Sequence, residues 1–99
     1  MIDYKVGYFA YSMAGHDKGS IYVIVDMKGE YVYLCDGKIR TTDNLKKKKI
    51  KHIQVIKKCD ETISYKLEQN LEIRNEDIKL AIKKQIKNIK GGNICQRQM

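Results

Sequence analysis

Between Val6 and Ile56 the apolar residues fall in short runs with turn residues between them. Val6 to Met13 is rich in aromatic and β-branched residues, and Ile21-Tyr22-Val23-Ile24-Val25 is nearly continuous in apolar character. Tyr31-Val32-Tyr33-Leu34-Cys35 follows, bracketed by Lys28-Gly29-Glu30 and Asp36-Gly37. Runs of this length and composition, bounded by such residues, predict strands. Asp36-Gly37 predicts a hairpin turn, because glycine takes the positive φ of a primed turn. Lys38-Ile39-Arg40-Thr41 then reads as the return strand, and residues 51–56 as another, with Ile53 and Val55 on one face. Four or five short strands with tight turns describe a small β-barrel.

The period then lengthens. Asp60 is placed to cap a helix in which Ile63 and Leu67 lie one turn apart, ending near Asn70. Asn75 reads as a second cap, with Glu76 and Asp77 in the first turn where the helix dipole favours acids. Ile78, Ile82, Ile86 and Ile89 form an apolar stripe at helical spacing, expected to pack on the barrel. Gly91-Gly92 reads as the stop. The expected architecture is mainly β with C-terminal helices: a barrel over residues 1–58, two short helices over 59–91, and a flexible tail over 92–99.

Composition narrows the class. The 99 residues suit one domain with a modest core. The formal net charge is +8 and the pI about 9.4, a field that favours a polyanion. Lysine outnumbers arginine 17 to 3, isoleucine is abundant, and proline and tryptophan are absent. An AT-rich genome produces that bias without functional demand, so the placement of charge matters more than its sum. Residues 1–45 are nearly neutral, while 46–58 hold seven lysines and no acid. Residues 59–77 sum to −4, and 78–99 hold six basic groups and no acid. Two basic blocks separated by an acidic stretch predict two electropositive faces.

Cys35, Cys59 and Cys95 are widely spaced, with no CxxC or Cys/His cluster, so free thiols in a reducing cytoplasm are expected and a metal site is not. Neither a signal peptide nor a run of about 18 apolar residues is visible, and no membrane association is expected. Catalysis has little to work with. His16 and His52 are the only imidazoles, without a nucleophile at a known spacing, and the acids between 60 and 77 suit helix N-termini. No enzyme activity and no cofactor are expected.

Gly15-His16-Asp17-Lys18-Gly19 is the most informative segment. A Walker A loop needs Gly-Lys-Ser/Thr in that order, and Lys18-Gly19-Ser20 departs from it. Taken with Val6-Gly7 before it and Ile21 to Val25 after it, the segment resembles the KOW motif, shared by several ribosomal proteins and NusG-type transcription factors. The later run Lys46-Lys47-Lys48-Lys49-Ile50-Lys51-His52-Ile53-Gln54 is similar to the continuation in large-subunit ribosomal proteins of the fourteen-e type and their compact bacterial relatives. The resemblance covers roughly residues 4–57. It implies an SH3-like barrel that binds RNA through its loops, without fixing which RNA; ribosomal RNA is the expected partner, with ribosomal or transcription proteins as the alternative.

The expected RNA contacts are His16 and Lys18 in the glycine loop, Lys38 and Arg40 after the turn, and Lys46, Lys47, Lys48, Lys49, Lys51 and His52 in the basic run. Gly15 and Gly19 are expected to shape the turn. Lys79, Lys83, Lys87 and Lys90 would form a second basic face, read equally as the solvated side of an amphipathic helix. Seven tyrosines against one phenylalanine read chiefly as barrel packing, although an exposed tyrosine beside basic loops can stack on a base.

Overall fold

The computed structural model describes residues 5–98, with side chains described up to residue 88. Five strands, β1 (Tyr8–Ser12), β2 (Ile21–Lys28), β3 (Tyr31–Cys35), β4 (Lys46–Lys49) and β5 (Ile53–Cys59), precede helices α1 (Glu61–Glu68) and α2 (Asn75–Gln98). A single 3-10 turn, Ile50–His52, joins β4 to β5. The strands form one antiparallel sheet in the order β4-β3-β2-β1-β5. The domain is therefore β-rich with helices at its C-terminal end.

The expected barrel is not closed. β4 and β5 are the two edges of the sheet and do not pair. β4 is only four residues long, and the Ile50 N–H that follows donates to Glu30 O at 2.8 Å, so the chain turns away before a ladder to β5 can form.

Both faces of the sheet carry a core. On one face Phe9, Val23 and Cys35 pack with Ile63 of α1 and Ile78, Ala81 and Ile82 of α2. On the other, Ala10, Tyr22, Ile24, Val32 and Leu34 pack with Ile50, Ile53 and Val55. Helices cover the first face, whereas strand and turn residues of the sheet itself cover the second. Burial on both sides explains the nearly continuous apolar run of β2, where strict alternation would suit a half-exposed strand. Complete burial of Ile63 and Ile78 contributes about 1.5–3 kcal/mol each before entropy is counted.

The helix caps follow the acidic residues. Asp60 accepts from the Thr62 and Ile63 N–H groups at 3.0 and 3.3 Å. Past the end of α1, Asn70 sits in the left-handed region at φ 57°, and the Leu71 N–H returns to Lys66 O. At α2 the cap differs from expectation. Asp77 reaches back to the Arg74 N–H at 2.9 Å, as in one half of a capping box, and also holds Lys66 at 2.7 Å. The Asn75 side chain instead accepts from the Thr42 N–H at 2.9 Å, tying down the β3–β4 connection.

Three further expectations are corrected. Residues 38–41 form no strand, because the Asp36 carboxylate accepts from both the Lys38 and Arg40 N–H groups and winds the segment into a loop. Gly37 there has φ +79°, and a Cβ on it would lie 2.5 Å from Asn75 O, so only glycine lets this loop touch α2. The second helix is not short, since α2 runs on through Gly91 and Gly92 to Gln98. Finally, among the described side chains its buried face is Ile78, Ala81, Ile82 and Gln85, while Ile86 is 39% exposed and Ile89 lies outside them.

Candidate nucleic-acid interface

Four consecutive lysines have poor strand propensity. They form β4 because β3 offers a ladder, pairing Tyr31 with Lys49, Val32 with Lys48, Tyr33 with Lys47 and Leu34 with Lys46. The basic run, outside every strand expected from the sequence, is thus an edge strand, and alternation divides its charges. Lys46 and Lys48 share the face of buried Leu34 and Val32, and Lys47 and Lys49 share the face of Tyr33 and Tyr31.

Lys48 is an internal group rather than a free contact. Its side chain is 9% exposed, its ammonium lies 2.8 Å from Asp17 Oδ1, and it donates to Ala14 O at 2.8 Å. Tyr22 donates to the other Asp17 oxygen at 2.7 Å, and the Ser12 hydroxyl lies 2.8 Å from Oδ1. Burial opposes charge on Asp17, but hydrogen bonds from Lys48, Tyr22 and Ser12 outweigh it and hold the carboxyl well below the usual range. Burial, then the bond to Asp17, pushes the Tyr22 phenol up to about 12.

This cluster fixes the glycine loop. Gly15 and Gly19 adopt φ +89° and +92°, and the Gly19 N–H donates to Ser12 O at 2.8 Å, so both serve as turn residues. His16 and Lys18 are exposed on the loop that results. The Met13 N–H donates to His52 O at 2.8 Å, bringing the other end of the basic run to the same place. An open depression lined by Ala14, Gly15, Tyr31, Lys47, Lys49 and His52 lies between the loop and the edge. Lys47 and Lys51 are exposed, and Lys46, Lys49 and His52 are half-buried.

The remaining residues lie elsewhere. Exposed Lys38 shares a groove with Lys79 and Lys83 of α2, floored by Ile21, Leu80 and Ile86. Arg40 is half-buried, with Nη1 3.4 Å from Asn44 Oδ1. Lys79, Lys83 and Lys87 are exposed along α2, and Lys90 lies outside the described side chains. Sequence reasoning missed Asp17 as the anchor of the loop. The one signal in the sequence was its position as the sole acid of segment 13–20; the Lys48 partner follows only from the β3–β4 register.

Among the described residues no group of three or more His, Cys, Asp or Glu side chains is placed to hold a metal. Among the described residues no helix is long and apolar enough to cross a membrane. Compared with protein-family models and with curated proteins, the chain matches none.

Proposed function

We propose that this protein is a non-catalytic RNA-binding protein of the KOW kind, associated with the ribosome in the cytoplasm, with a partly open SH3-like sheet as its scaffold. The observation that carries the reading is the convergence of the glycine loop and the lysine edge strand. His16, Lys18, Lys47, Lys49, Lys51 and His52 belong to two segments that Asp17 and Lys48 bind together. Like charges crowded on a short edge repel, and a phosphate backbone relieves that repulsion while releasing counterions. Lysines on an edge strand also discourage sheet-to-sheet pairing. That role needs charge on the edge alone, whereas RNA binding also needs the loop.

Sedimentation through a sucrose gradient at low and high salt tests the reading. Co-migration with ribosomes, released by salt, is the expected result. A protein that stays at the top of the gradient in both salts counts against ribosome association.

A second reading, a protein-interaction module of the translation or transcription machinery, draws on the groove beside α2. There Leu80 is 52% exposed beside Lys38, Lys79 and Lys83, a combination suited to an acidic partner with apolar side chains. Co-purification of ribosomal or polymerase proteins that survives nuclease treatment favours this alternative, and loss on treatment favours RNA.

A further inference from the structure

The outward face of β3 and β4 carries more than charge. Tyr31 and Tyr33 stand two residues apart on one strand, both half-buried, with side chains on the same face. Opposite them the ladders place Lys49 and Lys47 on one side and Lys28 and Asp26 on the other. A register shift after Ile24 sets this alignment, leaving Val25 out of the pairing so that Asp26 and Lys28 come beside the tyrosines. The Asp26 carboxylate accepts from the Met27 N–H at 2.8 Å. The Lys47 ammonium lies 4.3 Å from the centroid of the Tyr31 ring, and that of Lys28 lies 5.8 Å from the Tyr33 ring.

We infer that Tyr31 and Tyr33 form a stacking platform for unpaired bases, with Lys28, Lys47 and Lys49 holding the adjoining phosphates. The inference rests on the RNA-binding reading and names the substrate class: a single-stranded loop or bulge of a folded RNA, not a continuous duplex. Rings two residues apart along a strand are about 7 Å from each other, room for one base on each. The lysines over the rings do not block this. An exposed cation–π contact changes an equilibrium by a factor of about 2–5. A base stacked on an aromatic ring is worth a factor of about 5–150. A base therefore displaces the ammonium, which swings the short distance to a phosphate. A duplex cannot use the platform, because its bases already stack on one another.

The test uses the unaltered protein and three fluorescently labelled probes of equal length: single-stranded oligoadenylate, its fully abasic counterpart, and an RNA duplex. Oligoadenylate is expected to bind at least about tenfold more tightly than the abasic strand, which carries the same charge but no ring to stack. The double variant Tyr31→Ala/Tyr33→Ala should reduce that ratio to about 2 or less, and Tyr31→Phe/Tyr33→Phe should preserve it. Equal binding of oligoadenylate and the abasic strand overturns the platform and leaves the electrostatic reading standing. Binding to none of the probes overturns both. Because the first comparison needs no substitution, loss of folding in the alanine variant does not affect it.

Discussion

β4 and α2 both carry lysines at high density, and the two elements use them differently. In α2, Lys79, Lys83 and Lys87 recur every fourth residue, lie on one side of the helix, and are all exposed. In β4 the lysines are adjacent, so the strand sends alternate ones to opposite faces. One of the inward pair, Lys48, becomes a structural ion pair with Asp17, while the outward pair stands beside two tyrosines. A helix can present a basic stripe without committing any member of it to the fold. A strand cannot, because a period of two always turns half of its side chains toward whatever lies beneath. The charge count of a segment is therefore a poor guide to how many of its charges are free.

Neighbouring lysines should give the largest contrast. Lys48→Ala leaves the shielded Asp17 carboxylate without its counter-charge, held by Tyr22 and Ser12 alone, and is expected to cost about 2–4 kcal/mol in urea unfolding, near the range for a broken buried pair. Lys47→Ala removes one exposed cation–π contact and should cost about 0.5 kcal/mol. Similar losses from the two substitutions would erase the distinction between the faces of β4.

Acid should act on the same cluster. The carboxyls of Asp17 and Asp77 are both held below the usual range, against the effect of burial, by hydrogen bonds in which Lys48 and Lys66 lead. The unfolded chain thus binds more protons than the folded one once pH drops below about 4, the ordinary carboxylate value. Stability from these groups is fully present above that pH and lost progressively below it. Asp17→Asn should flatten the acid limb of a melting-temperature profile between neutral pH and about pH 2, relative to its own neutral value. An acid limb unchanged by the substitution would show that Asp17 does not contribute to it.

The helix stripe should give the smallest effects. Lys79→Ala/Lys83→Ala/Lys87→Ala removes two like-charge pairs at four-residue spacing, so a gain of about 0.5 kcal/mol in thermal stability is expected. RNA affinity should fall by less than about threefold at moderate salt, since long-range attraction beyond the Debye length is screened. A larger loss would make α2 a principal contact and not a solvated face.

Much of this frame was legible in the sequence. The first three strands, the last strand, the Asp60 cap and the end of α1 near Asn70 follow from local chemistry, namely β-branched runs, a capping carboxylate and a residue tolerant of the left-handed region. What escaped was set by partners distant in the chain. Lysines 46–49 become a strand because β3 pairs with them, which no lysine propensity signals. Residues 38–41 lose their strand to the carboxylate of Asp36, and the Asn75 side chain turns from helix cap to loop tie through Thr42. In the candidate site the basic and glycine segments were visible, but the division between Lys48 and Lys47 was not. It depends on the face of Val32, and hence on a register that tertiary pairing alone fixes.

The most direct test of the central claim, that RNA is held by the outward lysines and the loop beside them, is the salt dependence of RNA affinity for Lys47→Ala/Lys49→Ala/Lys51→Ala. Loss of three phosphate contacts should reduce the slope of log affinity against log salt by roughly 2, with melting behaviour close to that of the parent chain. A slope and affinity equal to the parent's would contradict the account and leave the lysine edge as a guard against strand pairing alone.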